Sequence, residues 1–426
     1  MQGVLDFIVE EIFGSASLFL GLIALFGLLL QKKSVTEVIS GTVKTIVGVV
    51  ILQRGVYILI GSISPLVGAF NAVYEVPVDQ IFTPMGEVAF VGEYGTQIGL
   101  VMLFAFVINL IVARFTKLKN VFLTGHMLFW FPFIFIAVGI DAGMSGNGVL
   151  VFATIFTALY MIVAPAIIKP FVRKVIGNDS FTLGHPTIGL SLIAAYVARW
   201  TGNKDKSTED IKFPKQLEFL REITITSSLV IFVVYLVMSL LLGSDAAEVL
   251  DIGSNVFMFA LTQGILFGAG LTILLQGVRM MLAEIVPAFK GISDKVIPDA
   301  VPALDCPLIF PYAPNAVIIG FIVSMISSTI ALILIGTTGM FSFIILPLTI
   351  TCFFEIGTAA VFANAEGGLR GAIIGSAVAG IVMIFLMGFS LPFFQNTVAD
   401  WMLIFGGNDF SIWGIISGSI ARIFGG

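Results

Sequence analysis

Only two histidines occur in the chain, and each directly follows a glycine: Leu-Thr-Gly-His at 123–126 and Thr-Leu-Gly-His at 182–185. Glycine lets backbone approach a ligand closely. Imidazole both donates and accepts hydrogen bonds, which suits the hydroxyls of a sugar. A buried structural histidine accounts for either one alone, but the shared setting in a histidine-poor chain favours a ligand role for His126 and His185. Asp305 is the third candidate, because a carboxylate among apolar residues at membrane depth is rarely idle. Cys306 follows it. A phosphoacceptor thiol is conceivable there, but a small buried hydrophobe is the commoner use. Glu355 and Glu366 rank lower, since either can lie at a loop boundary. Arg370, after Gly367-Gly368, either faces an anion or marks an interface. The sequence holds no nucleophilic triad, metal constellation or phosphate-binding glycine loop. Neither metal nor cofactor is expected, and an autonomous ATPase is unsupported.

The stretch that must position Asp305 is the least ordinary in the chain. Residues 276–296 read as an amphipathic helix, with Val278, Leu282, Ile285, Phe289, Ile292 and Val296 on one stripe, a pattern suited to the membrane interface. Pro298, Pro302, Pro307, Pro311 and Pro314 then interrupt the backbone around Asp305. A spanning helix seldom tolerates five prolines. Broken backbone is admitted at membrane depth only inside protein or beside a water-filled cavity, and transporters build binding sites there.

The rest of the chain is lipid-grade: 58% of residues are hydrophobic, 11% are charged and the mean hydropathy is +1.08. Soluble domains carry about 25% charge, so the fold class is an all-α polytopic membrane protein. Two cysteines imply no disulfide framework. The acidic N-terminus (Asp6, Glu10, Glu11) is unlike a cleaved signal, and nothing indicates nucleic-acid binding. Spans are expected at 13–31, 46–63, 97–113, 121–140, 148–168, 224–243, 255–276, 316–337, 340–360, 371–390 and 396–424, about ten to eleven crossings. Ser34 and Glu37 form a capping box that opens a short amphipathic helix before the second span. Residues 181–199 are either re-entrant or a further span. Basic clusters at 32–44, 114–119, 169–174 and 200–221 mark the cytoplasmic side; 75–96, 139–148 and 244–252 hold no Lys or Arg and fall outside.

The chain shows signs of internal duplication. Residues 177–184 read GNDSFTLG and 407–414 read GNDFSIWG, and Asn71-Ala72-Val73 recurs as Asn315-Ala316-Val317. The reading is a first half at 1–185, a connecting segment at 186–257 that carries the loop 200–222 and one span, and a second half at 258–426.

On these residues the chain resembles the membrane-embedded C component of the phosphoenolpyruvate-dependent sugar phosphotransferase systems, of the ascorbate type. The resemblance runs over nearly the full length. Its most specific segments are LTGH at 123–126, GH at 184–185, QGVRM at 276–280, DC at 305–306, APNAV at 313–317, VFAN at 361–364 and GG at 367–368. It implies a homodimer in the bacterial inner membrane, with a core domain holding the sugar acid and a V-shaped domain making the dimer contact. Each half would contribute helices to both domains. It implies alternating access of the core, and phosphorylation by a separate B component that an A component supplies, with no soluble phosphorylation domain attached to this chain. It carries the family's two histidines and aspartate onto His126, His185 and Asp305, and leaves Cys306, Asn364 and Arg370 as possible additions. Two positions depart from the family: Trp130 and Pro186 stand where it has ligand-binding glutamines. The substrate is then ascorbate or a related acid or polyol. The competing function is a cation-coupled secondary transporter in which Asp305 is the coupling acid.

Overall fold

The computed structural model describes residues 16–73, 85–211, 216, 219, 222–250, 255–338, 340–341 and 349–425. The acidic N-terminus, residues 75–84 of the 75–96 turn, and Lys212, Lys215 and Arg221 of the basic loop lie outside them. Among the described residues, six helices are long and apolar enough to cross a membrane, and four further helices carry shorter apolar stretches of 10–17 residues. The fold is all-α and polytopic, as the composition requires.

Four helices make one group: α1 (Ala16–Leu30), α2 (Val35–Val73), α7 (Ile223–Leu242) and α8 (Val256–Lys295). The Ser34–Glu37 capping box forms, with Glu37 N–H donating to Ser34 Oγ at 3.3 Å and Ser34 N–H to Glu37 Oε2 at 3.0 Å. The two amphipathic helices expected at the interface are not separate elements. Each continues a span: α2 runs unbroken past residue 46, and α8 runs unbroken past residue 276. Accordingly, Val278, Ile285, Phe289 and Ile292 are buried in the protein, and only Val296 of the described stripe is exposed. The stripe packs helix on helix. Glycines make the α2–α8 seam close: a Cβ on Gly55 would sit 2.4 Å from the Leu274 nitrogen, and one on Gly277 2.3 Å from the Leu52 nitrogen. Small residues let helix backbones approach in this way where lipid offers no hydrophobic drive.

The second group holds α4 (Gly125–Asp141), α5 (Gly146–Ile176), α6 (Ile188–Thr201), α9 (Pro314–Thr338), α10 (Gly357–Ser390) and α12 (Asp409–Gly425). Helix α3 (Glu87–Phe115) packs on α4 and α5, and the short α11 (Ala399–Phe405) precedes α12. The open question at 181–199 resolves as a 14-residue helix, α6, preceded by extended chain. Fourteen residues rise about 21 Å, short of the ~30 Å hydrocarbon core. Helix α10 kinks at Gly367 and at Gly368, whose φ is +60°.

One element departs from the all-helical expectation. Strands β1 (Asn120–Phe122), β2 (Thr182–Leu183) and β3 (Val301–Leu304) form a buried parallel sheet in the order β1-β3-β2. Phe122 pairs with Ala303, and Leu183 with Leu304. The sheet answers the problem posed by the broken backbone, because its ladder satisfies peptide groups that lipid would leave bare. The outer edge of β1 is closed by a side chain: Asn109 of α3 donates to Asn120 O at 3.0 Å and accepts from Phe122 N–H at 2.9 Å. Pro302 hides this strand from pattern reading, since proline is rare in central strands.

Candidate functional site

The three strands are parallel, so their carboxyl ends lie together. His126 follows β1, Asp305 follows the central β3, and His185 follows β2. Residues remote in sequence thus meet because the strand ends do, in the same way that ligands gather at the carboxyl ends of parallel sheets. Gly184 is required by closeness: a Cβ there would fall 2.8 Å from the Phe122 ring.

Asp305 sits between the two imidazoles. His126 Nε2 lies 3.7 Å from Asp305 Oδ2, and His185 Nε2 lies 3.6 Å from Asp305 Oδ1. Both gaps exceed hydrogen-bond length, so the cluster is open to a bridging hydroxyl. The Cys306 N–H donates to Asp305 Oδ1 at 2.7 Å and fixes the carboxylate. His185 is buried, and His126 and Asp305 are half-buried. The ligand atoms lie within 4.8 Å of one another. A metal-bound histidine, however, has its second ring nitrogen hydrogen-bonded, and buried His185 Nδ1 has no such partner. The arrangement suits a polyhydroxylated ligand better than an ion.

These groups line a cavity of about 330 Å³, at the small end for ligand pockets. Its walls come from both helix groups: Gln53 and Tyr57 of α2 and Met281 of α8 face Trp130, Trp401 and Glu355. Trp130 lines the cavity one turn along α4 from His126, and its ring lies 4.8 Å from that of Trp401. Of the positions expected in the ligand set, Pro186 does not line the cavity, and neither do the possible additions Cys306, Asn364 and Arg370. Cys306 is buried behind Asp305, and Pro186 supplies a carbonyl that accepts from Asp409 N–H at 2.9 Å; neither lines the cavity. Asn364 instead clamps the loop after α6, its Oδ1 accepting from Thr208 N–H at 2.9 Å. Arg370 is exposed beyond the kink. Of the lower-ranked acids, Glu355 reaches the cavity wall from a π-type turn, Cys352–Ile356, and Asn408 donates to its Oε1 at 3.0 Å. Glu366 is away from it, pairing with Lys174 at 2.9 Å and Arg199 at 3.2 Å. Trp401 and Tyr57 carried no sequence signal, since aromatic side chains are scattered widely in such a chain. Outside the spans, a two-point bond from Arg173 holds the Asp179 carboxyl below its usual range.

Residues 11–409 match the model of the EIIC-GAT family, described as a sugar-specific permease component of the phosphotransferase system, PTS. The chain is 26% identical over 456 residues to the ascorbate-specific PTS system EIIC component of Mycoplasma pneumoniae, covering 95% of this chain and 69% of that one. With six helices of crossing length among its described residues, the chain therefore belongs to the EIIC-GAT family of PTS sugar permease components, multi-pass proteins of the plasma membrane.

Proposed function

We propose that this permease carries ascorbate or a closely related sugar acid, bound by His126, His185 and Asp305 with Trp130 against its ring. The observation that carries the reading is the convergence of those three polar groups at the ends of three strands, in a cavity walled by both helix groups. Hydroxyls can bridge imidazole and carboxylate across the 3.6–3.7 Å gaps. An indole face suits a flat ring. A relative described as ascorbate-specific supports the choice of substrate. Transport is by alternating access: the group that holds the sheet moves against the group of α1, α2, α7 and α8, and a cavity lined from both sides supports that division. The duplicated halves, 1–185 and 258–426 joined by 186–257, each supply helices to both groups. The working unit is a homodimer, and a separate B component phosphorylates the substrate at the cytoplasmic mouth.

The test is uptake of labelled ascorbate into vesicles holding the purified chain. Uptake that needs both phosphoenolpyruvate and the soluble A and B components is expected, with phosphorylated product inside. Accumulation driven by an ion gradient alone would overturn the coupling and leave Asp305 as a coupling acid.

A further inference from the structure

We propose that Asp409 carries a proton and uses it, through Tyr160, to hold His185 in position; the role given to His185 rests on the substrate reading above. Tyr160 is fully buried, stacked on Phe131 with ring centres 3.6 Å apart. Its Oη lies 2.9 Å from the His185 carbonyl oxygen and 2.8 Å from Asp409 Oδ2. Both are ordinary O–H···O lengths. A phenol has one proton to donate, and a carbonyl oxygen has none. Two hydrogen bonds at Tyr160 Oη therefore need a second proton, and Asp409 Oδ2 is the only other atom of the three able to bring it. The relay runs from Asp409 Oδ2–H to Tyr160 Oη, and from Tyr160 O–H to the His185 carbonyl.

The other contacts of Asp409 fall on the same segment. Its Oδ1 accepts from Gly189 N–H at 2.7 Å, and its own N–H donates to Pro186 O at 2.9 Å. One residue thus brackets 185–189, the link that sets where the His185 ring enters the cavity. Asp409 does not itself line that cavity, so it positions and does not bind. The titratable groups facing it are Tyr160 from α5, His185 from the β2–α6 link and Glu355 from the π-type turn, with Asp305 beyond His185. Among the described residues no Lys or Arg pairs with Asp409. A buried carboxylate without a cation is costly, whereas a neutral carboxyl with its bonds made is not.

Asp409→Asn separates the two states. Its amide can accept from Gly189 and donate to Tyr160, so it copies the protonated acid and not the carboxylate. In purified protein, Asp409→Ala and Tyr160→Phe should each weaken ascorbate binding about tenfold, the scale of one lost hydrogen bond, and Asp409→Asn should restore it to within about threefold. Infrared spectra of the wild type at neutral pH should contain a protonated-carboxyl band that Asp409→Asn lacks and Glu355→Gln keeps. An Asp409→Asn spectrum with that band intact overturns the proposal whatever the affinities. If the wild type fails to bind ascorbate, the substrate reading falls. The infrared comparison, together with a thermal midpoint rescued in Asp409→Asn but not in Asp409→Ala, still decides the proton.

Discussion

At the scale of residues, the site is a carboxylate between two imidazoles that do not quite touch it. Replacing Asp305 by Asn preserves shape and removes charge. Ascorbate binding measured by calorimetry should weaken by about 1.5–3 kcal/mol, the range for a hydrogen bond to a charged group. Wild-type affinity in that variant would remove Asp305 from the ligand set. Trp130 occupies the turn above His126 and packs against Trp401. If the indole sets specificity, Trp130→Gln should shift preference toward ascorbate over competing polyols in a competition assay. An unchanged profile would make Trp130 packing alone.

At the scale of elements, the three-stranded sheet and the α10 kink do different work. The sheet gathers His126, His185 and Asp305. The kink anchors the loop after α6: Asn203 N–H donates to Gly367 O at 2.8 Å, and Asn364 accepts from Thr208 N–H. Gly368 has φ +60°, and a Cβ on it would lie 2.2 Å from the Asn203 carbonyl oxygen. Gly368→Ala should therefore lower stability by at least about 1–3 kcal/mol, read as a fall in thermal midpoint. Asn364→Ala should leave ascorbate affinity at the wild-type value while hydrogen exchange at 203–210 accelerates. A loss of affinity without faster exchange would return Asn364 to the binding site.

At the scale of the whole molecule, the proposed coupling requires the permease to meet a soluble phosphocarrier and release it every cycle. Such transient surfaces are polar and charged. The loop after α6 carries exposed Lys204 and Lys206, and it is tied through the α10 kink to the group that holds the sheet. Neutralising Lys204 and Lys206 should leave ascorbate binding intact and lower phosphorylation-coupled uptake. The deficit should deepen with added salt as the remaining attraction is screened. Wild-type coupled uptake with normal membrane insertion would move the dock to another basic segment.

Composition alone determined the solvent: so apolar a chain must live in lipid, and its helices follow from the demand that every peptide group be bonded there. The two Gly-His pairs and the proline-broken stretch around Asp305 were legible because they violate that background. Their meeting was not. Strands of two to four residues have no readable periodicity, and Pro302 argues locally against one, so the sheet that joins residues 126, 185 and 305 exists only through long-range pairing. The same holds for the stripe at 278–292, whose period announces an apolar face without saying whether lipid or α2 covers it. Asn364, Asp409 and Glu355 make the point at the residue scale. Nothing in their sequence neighbourhoods distinguishes a loop clamp, a proton holder and a cavity wall, because those roles are set by what the tertiary packing brings opposite each side chain.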